Sequence, residues 1–279
     1  MSHLLPLLPV LWPWLVLIAA QLVMLSGNRG IALTLLAAFG ALVLMQGFVS
    51  AGAALIVVLG LLGAGQLRRL SGVSLVIGHV AFILWCLALA LHLLPGAHNP
   101  LILDQVQAGP ESRPFTMYIN LDKPMIVFAV VLAWPAMLTA RRVTAPTPVL
   151  IGLGMLPALL ATALLFGAVH NEPGLPEWWL VFALSNLFLT CLTEEAFFRG
   201  YLQSALAARF GPIAGIAAAS LLFGLAHAAG GALLVVFAGL LGLACGLGYF
   251  ATGRLWVPVL MHFGFNMAHL LLFTYPGPA

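Results

Sequence analysis

Charge is scarce in this sequence: ten basic and seven acidic residues in 279, 6% of the chain, against 63% hydrophobic. A soluble protein is about a quarter charged, so a surface facing water on all sides is excluded. The mean hydropathy of +1.14 makes lipid the solvent. Cysteine is rarer still. Cys86, Cys191 and Cys245 form an odd-numbered set inside apolar runs, with no Cys-x-x-Cys spacing, which excludes a framework of disulfide pairs and leaves small buried hydrophobes. The basic residues are scattered or sit in the pairs Arg68-Arg69 and Arg141-Arg142; they outline no groove, and no nucleic-acid partner is expected. The first 25 residues have neither a basic start nor an Ala-x-Ala cleavage site and carry Pro6, Pro9, Pro13, Trp12 and Trp14, features of an uncleaved first span. His-Glu-x-x-His and Gly-x-Ser-x-Gly are both missing, which removes the two simplest hydrolase assignments.

What the chain does have is apolar runs. They extend over Leu4–Leu25, Ile31–Gly63, Val73–Leu94, Pro124–Ala140, Val149–Val169, Trp178–Leu192, Pro212–Ala229, Gly231–Thr252 and Leu255–Tyr275. About 20 apolar residues span a bilayer, and a backbone in lipid must satisfy its own hydrogen bonds, which for continuous apolar runs means helices. The expected fold is an all-α, polytopic transmembrane bundle of eight to ten spans, a multi-pass protein of the plasma (inner) membrane if bacterial. Ile31–Gly63 would make about 50 Å of helix, too long for one span, and Gly47, Ser50 and Gly52 offer a break. The polar interval Gly96–Lys123 reads as a loop outside the core, with a position over the bundle as the alternative, and is too small for a separate domain. It divides the chain into 1–123, N-terminal helices with that loop, and 124–279, a bundle carrying the polar motifs within 178–273. Two spans separate the Arg pairs, so both pairs are cytoplasmic under the positive-inside rule. The Asp104 loop, the segment His170–Glu177 and the C-terminus then share the opposite side. Gly239, Gly242, Ala244, Gly246 and Gly248 permit close helix contact.

Ionisable groups at membrane depth are costly and default to function or to an internal network. Glu194, Glu195 and Arg199 follow one apolar run; Phe223 and His227 lie in the next; His262 and Asn266 lie in the last. On a helix Glu195 and Arg199 are offset by about 40° and can pair, whereas Glu194 points about 140° away from Arg199. That leaves Glu194 to face an internal cavity as general base for water, near one or two imidazoles. His262 and Asn266 share a face and supply donors for an oxyanion. The same residues could instead hold zinc through Glu194, His227 and His262 with water in the fourth position; spacing leaves both open, as it does a proton-coupled transporter or an immunity or scaffold protein with a structural pocket. His269, seven residues after His262, is a reserve candidate. His79 and His92 read as bundle glue, and His3, His98 and His170 as solvated. Depth is an obstacle: His227 lies 15 residues beyond Pro212 and His262 only eight beyond Arg254, so straight spans would set them apart.

Glu-Glu-x-x-x-Arg (Glu194, Glu195, Arg199), Phe-x-x-x-His (Phe223, His227) and His-x-x-x-Asn (His262, Asn266), in that order, resemble the CPBP family of intramembrane endopeptidases. That family includes the type II CAAX prenyl proteases and the Abi-like bacterial proteins of bacteriocin processing and self-immunity. The resemblance covers Trp178–Phe273. It implies an all-helical bundle whose chamber opens toward one leaflet and one aqueous side, in which Glu194 and His227 activate water, His262 and Asn266 stabilise the oxyanion, and Glu195 and Arg199 support the site. The implied partners are a membrane-associated peptide or protein substrate and the lipid bilayer. No cofactor is expected on this reading, with Zn2+ as the alternative.

Overall fold

Short polar and glycine-containing breaks cut the apolar sequence into helices. The computed structural model describes residues 8–138 and 146–279; His3 and the Arg141-Arg142 pair lie outside them. Helix α1 covers Leu8–Leu25 and α2 Arg29–Met45, the latter capped by the Asn28 side chain accepting from Ile31 N at 3.3 Å. The long run does break in two. Gly47 takes φ +77°, a left-handed conformation open to glycine, and Ser50 Oγ accepts from Ala53 N at 3.1 Å to start α3, Ala51–Gln66. Then follow α4 (Gly72–Ala90), α5 (Met125–Ala133), α6 (Thr147–Leu165), α7 (Trp179–Phe210, one continuous helix of mixed winding), α8 (Pro212–Leu225), α9 (Ala232–Thr252) and α10 (Trp256–Leu272).

Five of these segments are long and apolar enough to cross a membrane: Ala51–Arg69, α4, α6, α7 and α9. Four more, in α1, α2, α8 and α10, are apolar but of only 10–17 residues, so the described chain has five full-length spans where the sequence suggested eight to ten. Apolar run length reports burial as well as lipid contact. Helix α5 shows the difference. Its nine residues reach only about 14 Å, and all but Leu132 are buried inside the protein. By contrast α4 exposes Val73, Val76, Ile77, Val80 and Leu84 along its outside, the face a span offers to lipid.

The interval 96–123 is not a loop outside the core. Strands β1 (Leu101–Val106) and β2 (Phe115–Tyr118) pair antiparallel, with Ile102, Leu103 and Met117 buried beneath them. The alternation was masked in sequence by an irregular register on both sides of Leu103. This hairpin locks onto the other two segments expected on its side. Glu172 accepts from Glu111 N at 2.6 Å and from the Ser112 hydroxyl, Arg113 N donates to Gly277 O at 3.0 Å, and Thr274 N donates to His170 O at 3.0 Å. Phe115, Trp178, Phe182 and Tyr275 pack ring to ring beneath it. The result is a cap over one end of the bundle.

Glycine sets the helix spacing on the other side of the site. A Cβ on Gly152 would lie 2.7 Å from Ala244 O and 3.0 Å from Met261 Cε, whereas one on Gly154 would meet nothing within 4 Å. Gly152→Ala is therefore expected to destabilise the protein by about 1–3 kcal/mol through overpacking, and Gly154→Ala to leave stability unchanged or slightly raised; thermal unfolding in detergent reads the contrast.

Candidate active site

One helix carries both glutamates and winds unevenly around them. Helix α7 is π-wound over Ser185–Cys191 and again over Ala196–Gln203, with the α-helical turn Leu192–Glu195 between; such i→i+5 segments recur at functional sites. Glu195 and Arg199 stay in contact as their spacing suggests. Arg199 Nε lies 3.1 Å from Glu195 Oε2, both side chains fully buried, in an ion contact off-line for a hydrogen bond. Glu195 Oε1 accepts from His262 Nδ1 at 2.9 Å, and Arg199 Nη2 donates to Gly242 O at 3.0 Å. A close approach of α9 makes the second bond possible, since a Cβ on Gly242 would stand 3.2 Å from Arg199 Nη2.

Phe223, the aromatic residue of the second motif, joins these groups. Its ring lies 4.5 Å from the Arg199 guanidinium, 4.8 Å from the His227 ring and 5.6 Å, edge-on, from the His262 ring. Two imidazoles on one ring occupy one region of the molecule, and the depth obstacle disappears. Helix α8 has only 14 residues and ends at Leu225, so His227 sits on the turn after it. His227 Nδ1 lies 2.8 Å from Phe223 O. A carbonyl only accepts, so Nδ1 bears a hydrogen and Nε2 is the ring nitrogen left for other partners.

Glu194 faces elsewhere than Glu195. Its Oε1 accepts from Lys123 Nζ at 2.6 Å, with side chains 13% and 15% exposed. Its Oε2 is buried without a hydrogen-bond partner, and the carboxylate lies within electrostatic reach of His227 and His262. Asn266 Nδ2 is shared between Asn186 Oδ1 at 3.2 Å and Cys191 Sγ at 3.6 Å, and the Cys191 thiol donates to the same Asn186 oxygen at 3.2 Å. Two cavities of about 570 and 620 Å³ lie away from this cluster; neither is lined by Glu194, His227 or His262.

Contacts thus join Glu195, Arg199 and His262 in a sealed ion network that meets His227 through the Phe223 ring, while the partly accessible Glu194 and Asn266 make their hydrogen bonds to Lys123 and to Asn186 and Cys191. Three neighbours were not singled out in sequence. Lys123 was assigned to an outer loop; its signal was that it is the only lysine among the ten basic residues, at the edge of an apolar run. Asn186 is an amide inside an apolar run, as Asn266 is, and Cys191 is buried as expected but against both amides. The reserve candidate His269 stands apart, its Nε2 on Thr274 O at 3.2 Å and its ring against Tyr275 in the cap. His79 does tie helices together, through Tyr201 Oη at 2.6 Å, and His92 bonds Asp122 at 2.8 Å, while His98 and His170 are exposed.

The donor set does not fit zinc as it stands. Among the described residues no three His, Cys, Asp or Glu side chains converge as a metal cradle, and the Lys123 ammonium stands 2.6 Å from Glu194 Oε1, where it would repel a cation. The buried network sets the stability of the site: Arg199→Leu leaves Glu195 without its guanidinium and is expected to cost about 3–5 kcal/mol. The double variant Glu195→Leu/Arg199→Leu should lose less than the sum of the single losses, as read by thermal unfolding.

Comparison with known families places a match over residues 176–268 with the family described as Rce1-like: Type II CAAX prenyl endopeptidase Rce1-like. Neither the curated proteins nor the solved structures gave a match. The matched segment runs from just before α7 into α10 and contains every motif residue from Glu194 to Asn266. Over that third of its length the chain is similar to the CAAX protease family described as Rce1-like.

Proposed function

We propose that this protein is an intramembrane endopeptidase that hydrolyses a peptide bond in a membrane-associated substrate with a water activated by glutamate. The observation that carries the reading is the division between the adjacent glutamates: Glu195 is spent on Arg199 and His262, while Glu194 keeps Oε2 buried and unpartnered. A carboxylate needs one free oxygen to take a proton. Glu194 Oε2 accepts a proton from water as the water oxygen bonds to the scissile carbonyl carbon, and His227 Nε2 orients that water. Negative charge moves onto the carbonyl oxygen. His262 and Asn266 are the oxyanion donors that the motifs assign, Asn266 by turning its amide from Asn186. The intermediate collapses as the C–N bond breaks, and the proton held by Glu194 passes to the leaving nitrogen. No step is routed through a metal.

The reading includes a division of labour along the chain, with 124–279 as the catalytic unit and 1–123 as an accessory unit that supplies the cap hairpin and Lys123. Multi-pass insertion delivers the site to substrates anchored in the same bilayer. Peptide cleavage by purified protein in lipid nanodiscs should fall about 10²- to 10⁴-fold in Glu194→Gln, the usual worth of a general base, with the unfolding temperature retained. Equal cleavage by wild type and Glu194→Gln contradicts the assignment. Elemental analysis of active protein is expected to show no stoichiometric zinc; zinc lost together with activity on chelation would move the reading to the metal-dependent variant.

A further inference from the structure

The family match begins at residue 176 and the chain's one lysine lies far upstream of it, yet that lysine makes the shortest polar contact of Glu194, 2.6 Å from Nζ to Oε1. The backbone that delivers it is held firmly. Asp122, buried, accepts through Oδ1 from Lys123 N at 2.9 Å and from the Asn99 amide at 3.3 Å, and contacts His92 Nδ1 at 2.8 Å; Asn99 Oδ1 in turn accepts from Leu121 N at 2.8 Å. Lysine presents three rotatable donors on a compact charge. Glu194 Oε1 engages one of them.

We infer that Lys123 is a further catalytic residue: its ammonium bridges Glu194 and the scissile carbonyl oxygen, holding the base through one N–H and meeting the oxyanion with another. This rests on the hydrolytic reading above and adds a group from outside the family-matched segment. Electrostatics favours the arrangement. When Glu194 takes the water proton it loses its negative charge, and the same charge appears on the carbonyl oxygen a few ångströms away. An ammonium touching both positions follows that displacement, so the buried site never carries an unpaired charge, which in a low-dielectric chamber is the costly condition. Lys123 keeps its own protons throughout; the water proton goes to Glu194 and then to the leaving nitrogen. Lys123 joins donors that are already engaged in part, His262 through Nδ1 to Glu195 and the Asn266 amide to Asn186 and Cys191.

The test compares wild type, Lys123→Met, Lys123→Arg and Glu194→Gln in nanodiscs. The probes are a quenched-fluorescence membrane peptide that the wild type cleaves and the same peptide with its scissile amide replaced by a tetrahedral phosphinate. Lys123→Met is expected to lower kcat about a hundredfold or more with KM little changed, the mark of a group acting in the transition state. It should weaken phosphinate inhibition by a comparable factor, and Lys123→Arg should recover part of both. A raised KM with unchanged kcat, or phosphinate inhibition as strong as in wild type, overturns the inference and leaves the glutamate mechanism standing. Unimpaired cleavage by Glu194→Gln overturns the glutamate mechanism on which the inference rests. Should Lys123→Met fail to yield folded protein, Lys123→Gln, neutral and hydrogen-bonding, carries the same measurements.

Discussion

A fully buried guanidinium governs the arrangement of the C-terminal half. Arg199 has no exposed side-chain surface, and in a lipid-facing protein a charge so placed must be met from within. Glu195 meets it from the same helix, Gly242 O from α9, and the Phe223 ring from α8. Because Glu195 also binds His262 on α10, one ion network fastens four helices to one another. The positions of the remaining polar groups are consequences of that fastening.

The clearest consequence is the separation of two neighbouring glutamates. Glu195 is drawn into the sealed network, and the helix turn then carries Glu194 to another face, toward Lys123 and the imidazole of His227. Phe223 serves both sides. Its face receives Arg199, its edge region receives the two histidines, and its own carbonyl fixes the hydrogen of His227 on Nδ1, leaving Nε2 for water. Sealed and accessible chemistry are thereby held a few ångströms apart by ordinary packing. The cap made from the hairpin, the segment after α6 and the C-terminal residues closes the end of the bundle from which Lys123 enters.

Much of this was legible in the sequence. Costly groups in apolar runs singled out Glu194, Glu195, Arg199, His227, His262 and Asn266, and helical geometry alone set the two glutamates on different faces, where the structure gives them different partners. Other features were hidden for physical reasons. Apolarity does not distinguish a helix wrapped in protein from one wrapped in lipid, so α5 was counted as a span. The hairpin's irregular register broke the alternation that would have announced strands. Sequence distance concealed Lys123, 71 residues from the carboxylate it binds, and the link from His262 to Glu195 crosses 67 residues that no spacing rule connects. Straight-helix counting also put His227 and His262 at different depths, because it does not foresee that α8 stops at 14 residues.

The central claim is that Glu194, and not Glu195, faces the accessible side of the site against Lys123. A zero-length carbodiimide crosslink on the unmodified protein tests it directly, because the chain has only one lysine and any intramolecular amide at a side-chain amine must begin there. Mass spectrometry of the digested product is predicted to find Lys123 joined to Glu194, with Glu195 unmodified. A crosslink from Lys123 to Glu195, or modification of Glu195 at the rate of Glu194, would contradict the account.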